Sequence, residues 1–162
     1  MEKHNQTVTD NLERIERPAE KKNKQIVGNT GMYYACYLLS KKGWNAMPTA
    51  RNAKGIDIVA YSENKRFVGI QVKTISKLIN VSLGSDTEFI FDYLFVVVLS
   101  HTGGKKRNNE KDEKSFPVVY VLSKDDVKGI MKHYGKNWFL RMDLFTKEKF
   151  GYKNNLHKID MK

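Results

Sequence analysis

The chain is poor in the residues that staple or interrupt a fold. Its 162 residues contain one cysteine and three prolines. A lone Cys36 excludes an intrachain disulfide, and its place inside an apolar helical pattern marks it as a small buried hydrophobe rather than a nucleophile or ligand. No run approaches the roughly 18 apolar residues of a membrane span, and the polar N-terminus MEKHNQTVTDNLERIERPAEKKNKQ lacks the apolar core of a signal peptide. A cytoplasmic protein without membrane attachment is therefore expected. Acids are also scarce: 18 Asp and Glu stand against 29 Lys and Arg, a formal charge of +11. That excess points to a polyanionic partner, DNA or RNA ahead of an acidic membrane surface, although net charge informs association and not fold.

What is present suffices for a core. At 40% hydrophobic and 11% aromatic content, a chain of this length buries enough apolar surface to fold without a structural metal. Residues 1–20 are polar, end near Pro18 and read as a flexible arm, leaving 21–162 as a single domain. Ile26, Met32, Tyr33, Ala35, Cys36, Tyr37, Leu38 and Leu39 recur near a 3.6 period and predict a helix stopping at Gly43 after Lys41 and Lys42. WNAMP, 56–61 and 67–73 predict strands, the last two joined by the turn-like SENKR. FDYLFVVVLS, at 91–100, has the nearly continuous apolar character of a strand buried on both faces. HTGGKKRNNEKDEKS predicts an exposed charged loop, and FPVVYVL another strand. Ser123 with Asp126 forms a short-acid capping box opening a helix through DVKGIMKHYG. WFLRMDLF predicts a further strand, and TKEKFGYKNNLHKID a small closing helix and turn. This order predicts a mixed α/β (α+β) fold, a central mixed sheet flanked by helices.

The hairpin GIDIVAYSENKRFVGIQVKT carries three polar residues that a purely structural pair of strands does not need: Asp57, Gln71 and Lys73. Alternation puts Gln71 and Lys73 on one face. Asp57 joins them only if it lies opposite residue 71 or 73, which requires an odd-numbered loop, for example one centred on Asn64 or Lys65. A lone carboxylate among apolar neighbours is costly unless paired, by Lys73 or by a cation. The Asp57 carboxylate, the Gln71 amide oxygen and the Val72 main-chain carbonyl are hard oxygen donors of the kind Mg²⁺ takes, with water completing its shell. Lys73 beside them would stabilise a hydroxide nucleophile or charge growing on a phosphate. That chemistry is phosphodiester hydrolysis. The opposing reading leaves the three as solvated decoration.

Helix, strand, G-I-D-I-V-A, turn, strand, I-Q-V-K resembles the PD-(D/E)XK nuclease superfamily, with its restriction endonuclease-like core, over residues 25–122. Asp57 matches the first acid and Lys73 the lysine, and Gln71 stands at the second acidic position, a replacement found in some branches. Asp92 lies near the start of the following apolar strand, as in similar nucleases. The resemblance implies a Mg²⁺-dependent DNA endonuclease, with Mn²⁺ as substitute ion and Asp57, Gln71 and Lys73 in the catalytic roles. Duplex-cutting relatives often pair, so it also implies a homodimer. Many relatives carry a glutamate on the first helix, but QIVGNTGMYYACYLLSKK has no acid, and Met32 stands near the expected place. Glu20 reaches the site only if the helix begins earlier. Fewer charged ligands predict weak metal binding. The alternative is a weakly active or inactive nuclease-fold module that binds nucleic acid, and a third reading is a protein-interaction domain.

Arg51 and Lys54, with Lys105, Lys106 and Arg107, are candidate phosphate contacts, set against the reading of solvated loop charge. His4, His101, His133 and His157 lack zinc-site spacing. VGNTG and TGGKK match no phosphate-loop pattern and read as turn and helix-entry glycines. Tyr33, Tyr37 and Trp44 are expected to pack in the core or on the sheet.

Overall fold

The computed structural model describes residues 23–50, 55–63, 66–86, 88–100, 117–146, 152–153, 156 and 159. The arm at 1–20, the loop at 101–115 and most of the closing segment after 146 lie outside them, as do His4, His101 and His157.

Helix α1, Lys24–Lys41, begins at Asn23, whose side-chain oxygen accepts the Gln25 N–H at 3.0 Å. It ends as expected at Gly43, whose φ of +84° suits a residue without Cβ. Strands β1 (Asn45–Pro48), β2 (Ile58–Tyr61) and β3 (Phe67–Lys77) follow, then β4 (Val81–Gly84), β5 (Tyr93–Ser100) and β6 (Val118–Ser123). The capping box is present: the Ser123 hydroxyl accepts the Asp126 N–H, and the Asp126 carboxylate accepts the Ser123 N–H at 2.8 Å, starting α2, Lys124–Ile130. The chain closes with β7 (Met131–Tyr134), β8 (Asn137–Leu140), α3 (Met142–Phe145) and the short β9 (Tyr152–Lys153).

Six strands form a mixed sheet in the order β1-β2-β3-β5-β6-β9, in which only β3 and β5 run parallel. Tyr93 through Val98 on β5 are all buried because β5 has a strand on each side and a core on each face. On one face, Ile58, Ala60, Val68, Ile70, Tyr93, Phe95 and Val97 pack against Ala35 and Leu39 of α1. On the other, Leu94, Val96 and Val98 meet Val81, Val127, Ile130, Leu140 and Phe145.

Several expectations are corrected. The helix expected to run through DVKGIMKHYG stops at Ile130, where Met131 turns extended with φ −66° and ψ 146°. Residues 131–134 instead pair with 137–140 as a hairpin, and Gly135 supplies the positive φ of its turn, +61°. WFLRMDLF is split between β8 and α3. A second, three-stranded sheet, β4-β8-β7, thus stands where one sheet was expected.

The face of α1 is also different. Its buried stripe is Gly31, Ala35 and Leu39, whereas Ile26, Tyr33 and Tyr37 are 64%, 60% and 57% exposed, so the two tyrosines are not core aromatics. Trp44 is buried as expected. Gly28 and Gly31 are interior helix residues, not turn glycines. The reason lies at Gly31, where a Cβ would overlap the hydroxyl and methyl of Thr74, so glycine lets α1 lie directly on β3. Cys36 is half-buried against the same core, and burial pushes its thiol up.

Candidate active site at the fork of two strands

The β2 and β3 register pairs Ile58 with Ile70 and Tyr61 with Phe67. The connection therefore spans positions 62–66, an odd length, and the ladder stops at Ile58, leaving Asp57 one step beyond it. The strands fork at that point. Asp57 donates its N–H to the Ile70 carbonyl at 2.9 Å, while its own carbonyl accepts from Thr49 N–H at 2.9 Å. With the backbone engaged elsewhere, the carboxylate takes over: Oδ2 accepts the Val72 N–H at 2.7 Å. A charge-assisted bond of that length is among the stronger kinds. Because the N–H and C=O of one strand residue lie on the same edge, the Val72 carbonyl also faces the fork.

The bend at Asp57 has a visible cause. Ile58 lies in the core under α1, but Ile56 crosses the opposite face of the sheet, over the position where Gly69 has no Cβ. Two residues that would share a face in a regular strand lie on different faces, and Asp57 between them projects along the sheet plane. Thr49 holds this arrangement, since its hydroxyl donates to the Ile56 carbonyl at 2.6 Å.

Along β3, Val72 and Thr74 face α1, as shown by the packing of Val72 in that core and the contact of Thr74 with Gly31. Gln71 and Lys73 consequently share the other face and are half-buried. Asp57 and Val72 thus meet at the fork, whereas Gln71 and Lys73 lie to either side of Val72 on the face of β3 away from α1, so Asp57 does not share their face as expected but lies in the plane of the sheet. Among the described residues, neither the Gln71 amide nor the Lys73 ammonium has a hydrogen-bond or ion-pair partner.

On the α1 side, the fork opens into a cleft of about 410 Å³ lined by Asp57, Val72, Thr49, Met32, Gln25 and Asn29. Met32, on α1, lines this cleft together with Asp57. Gln25 and Asn29 were not singled out from sequence. Their spacing with Met32, at i, i+4 and i+7, marks one face of a helix and was the available signal. Asp92 acts structurally, tying β5 to β3 through its Oδ2, which accepts the Gly69 N–H at 2.7 Å, and its N–H, which donates to the Gly69 carbonyl at 2.8 Å. Arg51, Lys54, Lys105, Lys106, Arg107 and Glu20 lie outside the described residues. Among those described, no three His, Cys, Asp or Glu side chains cluster as a metal site, and no helix is long and apolar enough to cross a membrane.

No family model and no curated protein matches this chain. A solved structure does: a bacterial homing endonuclease, I-Ssp6803I, with a TM-score of 0.50 at 16% identity, covering 85% of this chain and 91% of that one. At such identity the likeness concerns the fold, which is a mixed α+β, nuclease-like architecture with a central mixed sheet.

Proposed function

We propose that this chain is a divalent-metal-dependent DNA endonuclease of the PD-(D/E)XK type, with glutamine at the second acidic position. The observation that carries the reading is the fork itself, where one carboxylate is bonded to the N–H of Val72, the residue between Gln71 and Lys73 on β3. The nuclease-like fold supports it.

The donor chemistry fits a hard cation. Asp57 keeps Oδ1 without a partner among the described residues, and the Gln71 amide oxygen and Val72 carbonyl add two neutral oxygens, a set that suits Mg²⁺ or Mn²⁺. A single formal charge makes the affinity weak. When bound, such a cation supplies Lewis-acid stabilisation of the scissile phosphate. Hydrolysis joins the oxygen of water to phosphorus and breaks one P–O ester bond. Asp57 anchors the reacting end and, through Val72, fixes the edge of β3. Lys73 holds a positive charge where negative charge grows on the phosphate. Arg51, Lys54, Lys105, Lys106 and Arg107 serve as phosphate contacts along the flanking backbone.

Nicking of supercoiled plasmid tests the reading. Wild-type protein cuts in Mg²⁺ or Mn²⁺ and not in EDTA, and Lys73→Ala abolishes the cut; equal cutting by Lys73→Ala would overturn it.

A second reading rests on the wall of the cleft, which presents Met32, Gln25 and Asn29 without a carboxylate. A nuclease-fold module that binds DNA without turnover follows from it. Strongly salt-dependent DNA binding, with no Mg²⁺ or Mn²⁺ heat in calorimetry and no nicking, is its signature.

A further inference from the structure

The hairpin of β7 and β8 lies outside the candidate site and plays no part in it. From Val127 to Met142 the sequence has no acid, while it carries Lys128, Lys132, Lys136 and Arg141. The register pairs Lys132 with Phe139 and Tyr134 with Asn137 on one face, and Met131 with Leu140 and His133 with Trp138 on the other. Leu140 is buried and Met131 packs beside it, so the base of the hairpin is anchored in the core. Every residue from Lys132 to Asn137 is exposed, including Tyr134 at 54%.

The base is held by β4, whose Val81, Ser82 and Gly84 pair with Leu140, Phe139 and Trp138. Asn80 accepts the Met142 N–H at 2.9 Å. Along the ribbon the His133 and Trp138 rings lie 4.8 Å apart, and Tyr134 meets Phe139 edge-on at 6.2 Å. These ring contacts brace β7 against β8 along the projecting part. Lys132 and Lys136 have no ion-pair partner among the described residues. The outer face thus offers a cation, an aromatic ring and an amide, Lys132, Tyr134 and Asn137, with Lys136 at the turn.

We propose that the end of the β7–β8 hairpin, where it extends past its pairing with β4, is a DNA-contacting ribbon that enters the major groove, with Lys132 and Lys136 on phosphates and the Asn137 face toward base edges. The major groove, about 12 Å wide, admits a two-stranded ribbon, and an amide side chain can pair with the adenine edge exposed there. Charge complementarity selects the partner, since an acid-free cationic projection suits a polyphosphate backbone. The inference rests on the DNA endonuclease reading and adds the surface that holds the duplex.

Anisotropy of a fluorescein-labelled mixed-sequence duplex, in EDTA over a range of salt, tests it with the full chain. Each lost phosphate contact lowers the slope of log K against log salt by about 1, so Lys132→Ala/Lys136→Ala lowers it by about 2. The charge-matched pair Lys41→Ala/Lys77→Ala changes it less. An unchanged slope in the ribbon pair, or parity of the two pairs, overturns the inference. Lys132→Gln/Lys136→Gln repeats the measurement if the alanine pair misfolds. Plasmid nicking by wild type and Lys73→Ala, run alongside, separates the two readings. Nicking that depends on Lys73 with an unchanged ribbon slope defeats the ribbon alone; a reduced slope with no nicking by wild type defeats catalysis alone.

Discussion

Asp57 Oδ2 accepts the Val72 N–H at 2.7 Å, fifteen residues away in sequence, where a backbone carbonyl would sit in an unbroken ladder. The carboxylate thus does two things at once, closing the strand edge and carrying charge to the fork, and substitution separates them. In Asp57→Asn the amide oxygen can keep the bond, so stability falls by only about 1 kcal/mol, the difference between a charged and a neutral acceptor. Cutting falls more than roughly 100-fold, since even residues that merely support metal ligands are worth 10–100-fold. Asp57→Ala leaves the Val72 N–H unpaired and costs about 1–3 kcal/mol. Urea denaturation and plasmid nicking of both variants check the separation; equal stability loss in the two would show that the bond matters little.

Gly31 sets how closely α1 lies on β3. Alanine normally favours a helix by about 1 kcal/mol over glycine. Here its Cβ would overlap the Thr74 side chain, so Gly31→Ala destabilises by about 1–3 kcal/mol despite the better propensity. Thr74→Ala in the same chain restores part of the loss. Because the helix must lift from the cleft shared with Asp57, cutting falls as well. Denaturant midpoints of the single and double variants measure the coupling.

Tyr34 donates its hydroxyl to the Pro117 carbonyl at 3.1 Å, bracing α1 against the start of β6. Burial, with Tyr37 adding to it, raises the Tyr34 pKa above the ordinary tyrosine value of 10.0. The folded state therefore holds this proton at a pH where the unfolded chain releases it. Its contribution is full below the unfolded value and is lost as pH rises through the folded one. Tyr34→Phe costs about 1 kcal/mol at neutral pH. It also makes the alkaline decline shallower without removing it, because burial raises the Tyr120 pKa too. Urea titrations at about pH 8 and about pH 10.5, either side of the ordinary tyrosine value, show it.

The sequence makes some of this plain for physical reasons. A run without a charged or strongly polar residue, 93–99, has to be covered on both faces, and a serine three residues before an acid announces a helix start. The lone Asp57 in an apolar strand is legible because its isolation is costly, and the odd loop it demanded is the one the register shows. Other features are not legible. Apolar residues lie on every side of α1, so periodicity cannot choose its buried face; Gly31 chooses it, through contact with a strand distant in sequence. The four-residue strands β4, β7 and β8 are too short for a clear alternation, and their sheet forms only when 81–84 meets 137–140. The fork is likewise a tertiary feature. Only the crossing of Ile56 over Gly69 shows that Asp57 leaves the regular alternation.

The central claim, that Asp57, Gln71 and the Val72 carbonyl hold a divalent ion, is tested most directly by anomalous diffraction from crystals soaked in Mn²⁺. The account predicts a Mn²⁺ peak at the fork, between the Asp57 carboxylate and the Gln71 amide, absent in Asp57→Asn. A soak that places Mn²⁺ elsewhere on the protein, or nowhere, at a concentration that supports cutting would contradict it.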